Sequence, residues 1–127
     1  MTTLGASLAK VGEGEVEIAM PFSDALTQQH GFIHAGAVTT IVDTACGFAA
    51  LTMMPMEAAV LTTEFKVNFM SPAKGERLHA VGRVVRTGRT LMVCLGEAFA
   101  EENGKSKQIA LMTTTMMVVG TETGLRD

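Results

Sequence analysis

One stretch of helical period followed by four long runs of strand type sharply limits the folds open to this chain. Val38, Ile41, Val42, Ala45, Phe48 and Ala49 recur at the spacing of a single helix face. The helix is expected from about Gly36 until Pro55, which disfavours helix in the residue before it. Beyond it, Ala59 to Met70, Arg77 to Arg86, Thr90 to Glu101 and Lys107 to Val119 read as strands. They are parted by Ser71-Pro72-Ala73-Lys74-Gly75, Thr87-Gly88-Arg89 and Asn103-Gly104, the last a tight-hairpin signal. Ahead of the helix, Glu15 to Met20 alternates with period two, and residues 7 to 11 can pair with it. One helix of roughly 20 residues and so many strands predict an α+β domain in which a five- to six-stranded antiparallel sheet, running as a meander, wraps the helix.

The 127 residues, 47% of them hydrophobic, suit one domain spanning 1–127. Ten basic against 13 acidic side chains leave a net charge of −3, which argues against a general nucleic-acid surface. The longest apolar stretch, Ala35 to Met56, is broken by Asp43, four threonines and two glycines, and falls short of a membrane span. Cys46 and Cys94 lack Cys-x-x-Cys spacing and no leader-like segment precedes the first strand, so a cytoplasmic protein with reduced thiols is expected. Three scattered histidines and two isolated cysteines offer no metal-ligand spacing, and no metal is expected.

The two helix faces differ in kind. Val38, Ile41, Val42, Ala45 and Ala49 form a core face, whereas Gly36, Thr39, Thr40, Asp43, Gly47 and Ala50 form a face that is small rather than charged. A solvated face normally carries lysines and glutamates, so small residues predict close approach by another surface, most economically a second copy of the chain. On Ala59 to Met70, Leu61, Thr63, Phe65, Val67 and Phe69 are expected on one packed face, and Thr62, Glu64, Lys66 and Asn68 on the polar one. Thr90 to Ala100 and Ile109 to Val119 are apolar on both faces, which predicts central strands or strands buried at an interface.

The chemistry concentrates at His34-Ala35-Gly36 and Asp43. Amides left unpaired in a helix's first turn can stabilise a developing oxyanion, and a carboxylate can activate water or attack a carbonyl. No lysine or arginine lies between Gly31 and Phe65 to account for Asp43 as half of a helix ion pair. Eight residues of helix separate Ala35 from Asp43 by about 12 Å along the axis, too far to grip one carbonyl together. The two are therefore expected to act in different sites, Ala35 of one subunit working with Asp43 of another. His34 reads equally as a loop-shaping or capping residue, Gln28 as a surface glutamine and Thr62 as a strand former. Arg86, Arg89, Lys74 and Arg77 gather at two turns, as solubilising residues or as phosphate contacts. The ten methionines fill a core, and also suit a pocket for flexible acyl chains.

Gln28-Gln29-His30-Gly31-Phe32-Ile33-His34-Ala35-Gly36 with Ile41-Val42-Asp43, and Phe69-Met70-Ser71-Pro72-Ala73, resemble the hotdog-fold thioesterases of the phenylacetate-pathway type over nearly the whole chain. The resemblance implies a hotdog fold, a homodimer or dimer of dimers, and an acyl-CoA thioesterase with coenzyme A as part of the substrate and no other cofactor. By position it implies that Ala35 and Gly36 donate to the thioester carbonyl and that Gln28 orients carbonyl or water. It makes Asp43 of the partner the base or nucleophile, and has Thr62 hold the water. The segment of Phe69, Met70, Ser71 and Lys74 and the turn Arg86-Thr87-Gly88-Arg89-Thr90 match stretches that contact coenzyme A. Ala35 departs from the family's glycine: the N–H survives, but the methyl narrows approach to the thioester. The alternatives are a non-catalytic acyl-CoA binder and a hotdog dehydratase of 3-hydroxyacyl thioesters. The dehydratase has only His34 and Asp43 to offer and lacks the histidine motifs of those enzymes.

Overall fold

The computed structural model describes residues 4–27 and 31–120. The elements run β1 (Ser7–Gly12), β2 (Glu15–Pro21), a 3-10 turn (Asp24–Leu26), α1 (Ala35–Leu51), β3 (Ala59–Phe69), β4 (Arg77–Arg86), β5 (Leu91–Glu102) and β6 (Lys105–Val119). The strands form one six-stranded sheet, ordered β1-β2-β4-β5-β6-β3, with every pair antiparallel. β5 and β6 are interior strands, as their two-sided apolar pattern requires. At the β5–β6 hairpin, Asn103 (φ 53°) and Gly104 (φ 75°) both take the left-handed backbone that a type I′ turn demands.

The expected meander is only half right. β4, β5 and β6 follow one another, but β3 pairs with β6 at the far edge while β4 pairs with β2. The segment after β3 therefore cannot close a hairpin. Its backbone is tied across the end of the sheet instead: Met70 N–H donates to Ile109 O (2.8 Å), Ile33 N–H to Ala73 O (2.8 Å) and Glu76 N–H to Glu101 O (2.8 Å).

The helix spans 17 residues rather than roughly 20. Thr52 stops it: its hydroxyl donates to Ala49 O (2.6 Å) and accepts from Gly14 N–H (2.7 Å), fastening the helix end to the β1–β2 turn. Val38, Ile41, Val42, Ala45 and Ala49 are buried against the sheet, with Val38, Ile41 and Val42 contributing about 1.5–3 kcal/mol each. On the other face, Gly36 and Thr40 are exposed and Thr39, Asp43 and Gly47 half-buried. Ala50 departs from expectation and is buried in a cluster with Met92 and Met116. Two glycines paired across β4 and β5, Gly82 and Gly96, let the helix lie close to the sheet. A Cβ on Gly82 would strike the backbone of Ala45 and Cys46, and one on Gly96 the Val42 side chain.

Two bulges reset which side chains face the helix. On β3, Thr62 pairs with Met116 and Glu64 with Thr115, so Thr63 is an extra residue. Met116 is buried under the helix, so its partner Thr62 also faces the helix, and Leu61 turns outward with Met117. This corrects the expected alternation, which holds only from Phe65 onward. On β6, Ala98 pairs with Ala110 but Phe99 with Gln108, which makes Ile109 the extra residue. Even the helix-facing Phe65 and Phe69 remain 49% exposed, and Leu61 is 59% exposed. β3 is hydrogen-bonded along one side only, which leaves an 11-residue edge beside an apolar surface.

Candidate active site

His34 occupies the position before the helix with extended backbone (φ −56°, ψ 139°), and its side chain makes no capping bond. Its backbone does the work: His34 N–H donates to Leu26 O (2.8 Å), and His34 O accepts from Ala37 N–H (3.0 Å) and Val38 N–H (3.2 Å). The first helical amides are left over. Among the described residues, Ala35 and Gly36 N–H have no acceptor, both residues are exposed, and the space where a Gly36 side chain would stand is open. They sit at the positive end of the helix dipole, where an oxyanion is stabilised.

A cleft of about 660 Å³ opens at this point. His34, Ala35, Phe69, Met70 and Ser71 line it, so the structure brings these five expected residues together. Phe32, Ile33, Val38, Pro72, Ala73 and Ile109 complete its wall and make it largely apolar. Of these, Ile109 could not have been singled out in advance, because only the β6 bulge brings it there. Lys74 lies in an adjoining cleft that shares Phe32 and Pro72 with the first.

Asp43 stands apart, two helical turns along. Thr62 Oγ1 donates to Asp43 Oδ1 at 2.8 Å, the carboxylate's hydrogen bond from the sheet. This pair is half-buried, and its charge reaches the thiols beneath it. Burial foremost, and then the Asp43 charge, push the Cys94 thiol up to about 11. Burial raises Cys46 further, assisted by Cys94 and Asp43. Both cysteines are free and buried, and behave as small apolar residues.

Arg86, Thr87, Gly88, Arg89 and Thr90 form the exposed β4–β5 turn. β4 starts at Arg77, near the cleft end of the sheet, and runs 10 residues to Arg86, so within one protomer this turn lies at the opposite end from the cleft. Gln28 lies outside the described residues. The protomer thus holds two open amides at the helix start, Ala35 in the cleft wall and Gly36 outside its lining, and, separately, a carboxylate fixed by a threonine.

Residues 30–107 match the model of the thioesterase superfamily. An esterase-like relative from Halobacterium salinarum is 34% identical over 98 residues, 73% of this chain and 64% of that protein, so the chain spans less than two thirds of that relative's length. The crystal structure of a thioesterase family protein from Silicibacter pomeroyi superposes with a TM-score of 0.93 at 52% identity, covering 95% of this chain and 89% of that one. A Bacillus halodurans protein solved with CoA shares the fold at 24% identity and a TM-score of 0.76, over 81% of this chain and 66% of the other. On its architecture, its helix-start cleft and these matches, the chain belongs to the thioesterase superfamily and has that superfamily's hotdog fold, shared with the PaaI protein of Escherichia coli.

Proposed function

We propose that the protein hydrolyses an acyl- or aryl-CoA thioester to the free carboxylic acid and coenzyme A, in sites built between two copies of the chain. The observation that carries this reading is the helix start, where the Ala35 and Gly36 amides have no acceptor among the described residues and Ala35 lines an apolar cleft. The thioester carbonyl oxygen rests on these amides, with its acyl and thiol arms along the cleft. Asp43 of the second copy takes the proton from a water that attacks the carbonyl carbon, or attacks that carbon itself. The negative oxygen that forms is held by the two N–H groups. Collapse breaks the C–S bond, and the thiolate leaves to take up a proton; where Asp43 itself attacked, water then opens the mixed anhydride, which releases the free acid and restores the carboxylate. One such donor is worth about 100- to 1,000-fold in rate, and a placed base about 100- to 10,000-fold.

A second copy is supported by the uncovered Leu61, Phe65 and Phe69 along the free edge of β3, and by the small, uncharged helix face around Asp43. In this reading the partner supplies Asp43, held by its own Thr62, and its Arg86-Thr87-Gly88-Arg89-Thr90 turn, the groups that one protomer keeps away from its own cleft. Two such dimers pair into a tetramer. The Bacillus halodurans neighbour solved with CoA supports coenzyme A as the leaving group. Gln28 orients the carbonyl or the water. Free buried thiols suit a reducing, cytoplasmic setting, and no described helix is long and apolar enough to cross a membrane.

The test is free-thiol release from short, medium, long and aryl acyl-CoAs by wild-type and Asp43→Asn protein. Turnover in the wild type and its near-complete loss in the variant support the reading. A folded Asp43→Asn protein with wild-type turnover sinks it.

A further inference from the structure

We propose that a second cleft, walled by Lys74, Lys105 and Lys107, seats the phosphates at the nucleotide end of the acyl-CoA. This rests on the thioesterase reading above and deepens it. The cleft encloses about 610 Å³ and shares Phe32 and Pro72 with the cleft at the helix start, so one extended ligand can run from one into the other.

The lysines face this space because of the β6 bulge. Lys107 pairs with Ala100, which is buried on the helix side of the sheet, and Lys105 pairs with Glu102 two residues further on. The extra residue Ile109 shifts the phase, so these odd-numbered lysines share a face with the even-numbered Ala110 and Met112. Without it they would lie on the outer face with Thr113 and Thr115. Bulges that re-aim side chains gather beside functional sites.

Among the described residues, no ion pair engages these ammonium groups. The ion pairs among the described residues are Arg77–Glu101, His79–Glu101 and Arg83–Glu97, and none uses a lysine. The wall holds three lysines against one carboxylate, Glu102, in a chain whose net charge is −3. Three converging positive charges against one carboxylate raise the energy of the empty cleft, and a polyanion relieves it. Lysine serves phosphate as a point charge on a flexible stem. The nucleotide end of coenzyme A is the polyanionic part of the proposed substrate. The pantetheine arm that joins it to the thioester is neutral and suits the shared wall of Phe32 and Pro72.

The test compares one acyl group carried on coenzyme A and on pantetheine, in the wild type and in the Lys105→Gln/Lys107→Gln double variant, whose altered side chains are both exposed. The expected result is a KM for acyl-CoA raised about tenfold with kcat unchanged, and an unchanged KM for acyl-pantetheine. Added salt should raise the wild-type KM for acyl-CoA more than that of the variant. Equal changes for both substrates, or no change, overturn the proposal. A KM raised only for the same acyl group on an acidic carrier protein overturns it in favour of a protein-docking surface. Coenzyme A binding to the Asp43→Asn protein by calorimetry separates this proposal from the thioesterase reading. Affinity lost on adding the two lysine substitutions supports the phosphate seat even if hydrolysis is not the reaction. Unchanged affinity overturns the seat and leaves hydrolysis standing.

Discussion

Thr62 reaches Asp43 because Thr63 is an extra residue in β3. The bulge turns Thr62 from the outer face of the sheet to the helix side, where its hydroxyl lies 2.8 Å from Asp43 Oδ1. A carboxylate on a helix is thereby held by a strand 19 residues further along the chain. The bond fixes one oxygen of the carboxylate, and the proposed hydrolysis uses the other.

Replacing Thr62 with valine keeps the shape and strand preference of the side chain but removes the donor. The expected outcome is a fall in kcat of about fivefold with little change in KM, since one hydrogen bond of this kind is worth about 1 kcal/mol. Thr62→Ser should restore most of the rate. Steady-state kinetics on one acyl-CoA checks both, and a KM effect without a kcat effect would instead place Thr62 in substrate binding.

The approach of helix to sheet makes an equally sharp contrast between two glycines. Gly82→Ala drives a methyl group into the backbone of Ala45 and Cys46, whereas Gly36→Ala adds one in open space. The first should destabilise the fold by about 3 kcal/mol, the upper end of overpacking costs. The second should leave it intact or stabilise it by up to about 1 kcal/mol, because alanine is the better helix former. Urea denaturation of both variants decides this, and equal stabilities would contradict the close approach.

The buried thiols give the fold a pH limit on the alkaline side. The folded-state value of Cys94 is raised from 9.0 to about 11, and that of Cys46 is raised further, so the unfolded chain loses these protons first. Stability from this source is fully present below pH 9 and is lost as pH climbs through the folded values. Denaturation midpoints measured upward from pH 8 should therefore fall more steeply for the wild type than for Cys94→Ala. The native thiols should also resist alkylating reagents at pH 8 until denaturant is added.

The helix, the four strands after it and the Asn103-Gly104 turn were legible in the sequence because each is written in local periodicity or local turn chemistry. The strand order was not, since nothing near Ser71 to Gly75 states that the Met70 and Glu76 amides donate across the sheet end to Ile109 and Glu101, and that the Ala73 carbonyl accepts from Ile33, rather than closing a hairpin. The bulges were hidden for a related reason. Thr62-Thr63 and Gln108-Ile109 read equally well in either phase, and only the pairing partner decides which residue is extra. Ala35 and Gly36 could be picked out from their place at the helix start. Lys105 and Lys107 could not, because strict alternation sends them to solvent on the outer face. Thr62 entered only through family resemblance, since its bond to Asp43 depends on the bulge.

The central claim is that each site joins the helix start of one copy to Asp43 of another, and subunit mixing tests it most directly. Ala35→Pro removes one donor amide at the first helical position, where proline is tolerated, and the extended backbone of His34 already suits a following proline. Ala35→Pro and Asp43→Asn proteins should each be nearly inactive alone. Unfolded together and refolded as an equal mixture, they should regain about a quarter of wild-type activity: half the dimers are mixed, and each mixed dimer holds one intact site of two. Activity in the mixture that stays at the level of the separate variants would place both groups in one chain's site and contradict the account.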